Sequence, residues 1–172
     1  MRLVNSLVGA LAIAAVLLGF STSQAAALPQ PTGKPILEIT GAITVHNGGG
    51  IARFDRVMLE ALGTKVIVTT TPWHKGSVRF EGVPLATLMK AVGAQGSAVK
   101  VTALNDYVSV VPMADFARHG VILALKADGS YMEVKDRGPL FIIYPYDADP
   151  TLKSQRYYAR SVWQVRHIEV RK

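Results

Sequence analysis

The chain of 172 residues contains no cysteine. That absence excludes disulfides, cysteine nucleophiles and thiolate ligation of any metal. Histidine is sparse: His46, His74, His119 and His167 stand apart, with no His-x-x-x-His or His-Glu-x-x-His spacing that would mark a zinc site. His119 falls at the end of a predicted helix, where the helix dipole accounts for it. There is no Gly-x-Ser-x-Gly elbow and no pair of carboxylates in a catalytic setting. The formal charge is +7, yet the cations are dispersed until a denser end from residue 153 onward. No basic stripe is interleaved with aromatics, so nucleic acid is not an expected partner. A basic surface facing an anionic membrane or ligand fits that charge better.

Long apolar runs are absent except at the start. Residues 7–20 are apolar with small residues mixed in, Arg2 is the only charge before residue 27, and Ala25-Ala26-Ala27 offers small-residue cleavage positions. The run is shorter than the ~20 residues a spanning helix needs. It predicts a secretory signal peptide over 1–27. Residues 28–172 are then expected to form a single exported domain that does not span the membrane.

The remainder predicts an α+β fold with a mixed β-sheet and short helices. Residues 36–45 read as an opening strand, broken by Gly48-Gly49-Gly50. Phe54, Val57, Met58, Ala61 and Leu62 recur at helical spacing and predict a helix over 54–62, stopped by Gly63. Residues 65–70 read as a buried strand, 77–80 as a short extended one. Pro84 fits the first turn of a helix whose apolar stripe is Leu85, Leu88, Met89 and Val92. Strands are expected at 99–104 and 107–111, and a short helix at 112–119. A hairpin of 121–125 with 131–134 turns at Asp128-Gly129, a strand follows at 140–144, and another closes the chain at 162–170.

Four stretches carry candidate chemistry. TTTPWHKG (69–76) leaves an apolar strand, turns at Pro72 and presents Trp73 beside His74 without a nucleophile. HNGGG (46–50), with His46 and Asn47, is either a turn or an anion nest of backbone N–H groups. YPYDADP (144–150) is either a rigid loop held by Asx-turns or a recognition loop. In the second case Tyr144 and Tyr146 offer ring faces, and Asp147 offers a carboxylate able to accept two parallel hydrogen bonds. SQRYYARSVWQV (154–165) gathers Arg156, Tyr157, Tyr158, Arg160, Ser161 and Trp163. It is a loop with solvated arginines entering a strand, or an anion site with guanidinium forks.

Taken together, several segments resemble one family. VRFEGVPLATLMKAVG (78–93) is similar to the Trp-x-Gly-Val-Pro-Leu helix entry of the sulfite oxidase type molybdopterin-binding domain. DYVSVVPMADF (106–116) resembles its next hairpin and helix, KDRGPLFIIYP (135–145) its Gly-Pro-Leu strand, and YARSVWQVRHIEV (158–170) its Ala-Arg-Ser-Val closing strand. The likeness spans residues 36–170. Two positions depart from it. Thr70 stands where the family's molybdenum-ligating cysteine would be, and Trp163 stands near the lysine of the closing motif.

The resemblance is nearest to cysteine-lacking, exported proteins of the PruR type, through ALNDY and YPYD. It implies a non-enzymatic protein that binds a reduced pterin, without a catalytic cofactor. It also implies a report to an inner-membrane protein, met at its periplasmic domain, that makes or degrades cyclic di-GMP. Trp73 and one of Tyr144 or Tyr146 would stack on the pterin, with Tyr158 nearby. Asp147 would take its donor edge, and His74 would add a hydrogen bond. Arg156, Arg160, Ser161 and His46 would read its side chain or a phosphate. Two alternatives stand beside this reading. One is a molybdopterin-dependent oxidoreductase with a non-cysteine ligand; the other is a domain that only bridges other proteins.

Overall fold

The computed structural model describes residues 27–172; the signal-peptide segment read from the sequence lies almost wholly outside them. In chain order the elements are β1 (Leu37–Gly41), β2 (Ala52–Phe54), α1 (Arg56–Ala61), β3 (Lys65–Thr70), β4 (Ser77–Pro84), α2 (Leu85–Ala91) and β5 (Ala98–Ala103). They continue as β6 (Val108–Pro112), α3 (Ala114–His119), β7 (Ile122–Ala127), β8 (Ser130–Tyr131), β9 (Phe141–Ile143), α4 (Gln155–Arg160) and β10 (Val165–Arg171). Single 3-10 turns lie at Val134–Asp136 and Pro150–Leu152.

The strands form two sheets, so the expected α+β architecture holds. The first has the order β2-β1-β10-β5-β6; the second runs β3-β4-β7-β8, with β9 also on β7. β1 and β10 pair in parallel and every other pair is antiparallel. Period-two alternation explains the burial. In β5, Val99, Val101 and Ala103 face the core while Lys100 and Thr102 face outward. β7 and β9 are apolar at every core position because both faces are covered. Leu123, Leu125 and Ile142 enter one core cluster, while Ile122, Ala124, Phe141 and Ile143 enter the other. No helix among the described residues is long and apolar enough to cross a membrane.

Several local expectations change. β1 ends at Gly41 rather than running to 45, because Gly41 takes φ +87 and its α-carbon packs against the Val170 carbonyl, where a side chain would collide. Phe54 belongs to β2, and α1 starts after its N-cap, Asp55, whose Oδ1 accepts from Met58 N at 2.9 Å. Asp55 Oδ2 also accepts from the Thr32 and Gly33 amides, pinning the proline-rich lead. Those backbone donors, that of Met58 first, hold its carboxyl below the usual range. β3 is an edge strand, so Val66 and Val68 are 45% and 61% exposed rather than buried. Of the strand expected at 131–134 only Tyr131 lies in a strand, β8, and a 3-10 turn begins at Val134. The stretch read as a loop before the closing strand contains α4.

A candidate ligand-binding cleft

The end of β3 is tied down before it turns. Thr70 N donates to Asp147 Oδ2 at 2.6 Å and Thr70 Oγ1 to Asp147 Oδ1 at 2.7 Å. Lys153 Nζ lies 2.7 Å from the same Oδ1. In return, Asp147 N donates to the buried Thr69 Oγ1 at 3.1 Å. The Lys153 ammonium, then Thr70, hold the Asp147 carboxyl far below the usual carboxylate range. Inside the turn, Thr71 Oγ1 accepts from Trp73 N at 3.3 Å and shares a 2.7 Å hydrogen bond with His74 Nδ1.

Beyond this turn lies a cleft of about 330 Å³ lined by Pro72, Trp73, Ala103, Asn105, Tyr107, Gln155, Tyr158, Ala159, Ser161, Val162 and Trp163. Its centre is the half-buried Trp73, met edge-on by Trp163 at 5.4 Å and by Tyr158 at 5.9 Å between ring centroids. Phe141 backs it at 5.5 Å. α4 and its C-terminal end supply one wall. The turn between β5 and β6 supplies the other, and Tyr107 Oη donates across to Ala159 O at 3.2 Å. None of the lining residues is charged. Neutral polar atoms are offered by Asn105 and Gln155, whereas the Ser161 hydroxyl is buried and engaged within the protein.

Of the residues given a ligand-binding role from the sequence, Trp73, Tyr158 and Ser161 meet in this cleft. The others do not line it. Tyr144 and Tyr146 are buried and present no ring face to solvent. Tyr144 Oη donates to Asp115 Oδ2 at 2.8 Å, and Tyr146 Oη bonds Ser161 Oγ, which itself donates to Tyr157 O at 3.0 Å. Burial first pushes both phenols well above the ordinary tyrosine range. Arg160 pairs with Asp115 at 2.8 Å and does not line the cleft. Arg156 is exposed on α4 and is not among the residues that line the cleft.

Thr70 and Asp147 belong to the clamp at the strand end, not to the cleft lining. Asn47 is buried as a clip: its Nδ2 donates to Pro29 O and Arg53 O, and its Oδ1 accepts from Arg53 N. That accounts for HNGGG as a turn, with His46 exposed beside it. His74 lines a separate hollow of about 270 Å³ with Asp128, Asp136 and Arg137. Burial, then the positive charge of Arg137, hold its imidazole below the ordinary value. The site candidates drawn from the sequence omitted Asn105, Tyr107, Gln155 and Trp163. The signals were present in ALNDY and in the aromatic that replaces a lysine.

Mixed sheets with short helices and a cleft beside the closing strand define a recognisable class of domain. The chain belongs to the oxidoreductase molybdopterin binding domain family, whose match covers residues 53–171. No curated protein matches the chain. Among solved structures it is similar to the sulfane dehydrogenase SoxCD from Paracoccus pantotrophus, with a TM-score of 0.56 and 17% identity. That alignment covers 78% of this chain but only 37% of the other, and at this identity the likeness is one of fold.

The group that the family implies is molybdopterin. A molybdenum centre favours a soft thiolate. The chain has no cysteine, and the amide and hydroxyl of Thr70 both donate to Asp147. No group of three or more histidine, aspartate or glutamate residues suited to a metal occurs among the described residues. The residues at this position therefore do not fit a thiolate-held metal. An aromatic, uncharged cleft does fit a flat heterocycle such as a pterin ring.

Proposed function

We propose that the protein binds a pterin-type heterocycle in the Trp73 cleft and acts by holding it, not by transforming it. The observation that carries this reading is the aromatic corner of Trp73, Tyr158 and Trp163 in a cleft free of charged side chains. The cleft volume of about 330 Å³ is at the small end of the ~300–1,000 Å³ usual for small-molecule sites. Stacking on one such ring contributes about 0.5–1.5 kcal/mol beyond burial. Each neutral hydrogen bond from Asn105 or Gln155 adds about 0.5–1.5 kcal/mol. These groups replace Asp147 as partners for the pterin edge, because that carboxylate is already committed to Thr70 and Lys153.

In this reading the ligand is a reduced pterin and the protein works in the periplasm as a sensor module. Its listener is an inner-membrane enzyme of cyclic di-GMP turnover, met through that enzyme's periplasmic domain. The support is the family membership combined with the loss of the thiolate. The deciding experiment titrates purified protein with dihydropterin and tetrahydropterin while following tryptophan fluorescence. Saturable quenching at micromolar ligand is expected; no change with either would end the proposal. The family match favours one other reading, a molybdopterin-dependent oxidoreductase. Stoichiometric molybdenum in protein from a host that makes that cofactor would establish it instead.

A further inference from the structure

The cluster at the end of β3 has no part in the cleft lining, yet it touches both segments that build the cleft. Thr69, Thr70 and Thr71 each commit a hydroxyl there, to Asp147 N, to Asp147 Oδ1 and to the Trp73 turn respectively. Trp73 leaves the clamp three residues after Thr70. On the other side, Asp147 begins the segment that passes through Lys153 into α4, which delivers Tyr158 and Ser161 to the opposite wall. Joining Thr70 to Asp147 therefore fixes the position of Trp73 relative to α4.

We propose that Thr70 and Asp147, braced by Lys153, are positioning residues that preset the cleft for its ligand. At the place where the resemblance puts a metal-binding thiolate, a hydroxyl, a carboxylate and an ammonium make the link instead. This rests on the reading that the Trp73 cleft holds a pterin. The two bonds from Thr70 are charge-assisted and short, and their geometry is fixed by a strand end. The Lys153 contact is partly exposed and screened by salt, so it braces the carboxylate rather than holding the joint. A joint formed before binding spares the ligand the cost of ordering Trp73 and its turn.

The test compares wild type with Thr70→Val, Thr70→Ser and Asp147→Asn. Tetrahydropterin affinity is read by tryptophan fluorescence, together with Tm and amide hydrogen exchange at residues 69–74. Valine keeps the shape and strand preference of threonine and loses only the hydroxyl. Thr70→Val and Asp147→Asn are expected to weaken binding about tenfold, the scale of one or two side chains left to be ordered by the ligand. Thr70→Ser should return affinity to within about twofold, since it restores the hydroxyl bond. Exchange at the Trp73 turn should quicken in the first two variants by more than any fall in Tm accounts for. Unchanged affinity and exchange in Thr70→Val would overturn the proposal, as would loss of affinity only in step with loss of Tm. Should wild type bind no pterin, the functional reading fails by itself, and the exchange rates alone then decide whether the clamp fixes the turn.

Discussion

Trp73 sits among four aromatic rings yet keeps part of its own surface open to the cleft. Replacing a fully buried Trp by Ala costs about 3–5 kcal/mol, and half-burial brings the expected loss for Trp73→Ala to roughly half that figure. Chemical denaturation measures it, and pterin affinity should fall with it. Behind the cleft, Asp115 binds both Arg160 and the Tyr144 hydroxyl. Asp115→Ala strands a guanidinium and a buried phenol, so a loss of about 3 kcal/mol is expected by the same measurement. The partly open position of Trp73 was legible from the sequence, because it follows a strand end and a turn at Pro72. Asp147, Tyr144, Tyr146 and Arg160 were not. Their residue types suit recognition, but the sequence does not reveal that their polar atoms are already engaged inside the protein.

Among the elements, α4 shaped the site and escaped the sequence reading. It has only six residues, QRYYAR, too few to display an apolar period, and its Ser154 N-cap makes no side-chain cap bond. The helix nonetheless places Tyr158, Ala159 and Ser161 along the cleft. Ala159→Pro would break its last turn; a loss of about 3 kcal/mol is expected in denaturant unfolding. The apolar runs at β7 and β9 were legible as strands, since strands buried on both faces need no alternation. β3 was legible as a strand but not as an edge. The exposed Val66 and Val68 carry the same propensity they would have in a central strand, and only the pairing partners decide their burial.

The molecule as a whole should respond to pH in two windows. Burial first holds both His74 and His167 below the ordinary histidine value. The folded state then binds fewer protons than the unfolded chain as pH falls through that value. Their contribution is complete above about pH 6.5 and is lost progressively below it. Scanning calorimetry between pH 7.5 and 5, as about two protons at most are taken up on unfolding, should show Tm falling. His167→Gln should flatten that slope. A second loss begins below about pH 4, where the unfolded chain takes up protons that the folded Asp55 and Asp147 carboxylates still resist. These carboxylates have depressed values in the folded state, so their contribution is present above that range and vanishes beneath it.

The parallel pairing of β1 with β10 also orders events in time. β10 is the last strand in chain order, yet it lies in the middle of its sheet between β1 and β5. A chain emerging from the ribosome N-terminus first would hold those two strands with facing sides unfilled until residues 165–171 were free. The domain can thus mature only after synthesis of its final strand, and before then it stays in a form that can be threaded, captured or degraded. Ribosome-held chains stopped before Val165 should be cut readily by protease, and chains extended by a linker past residue 172 should resist.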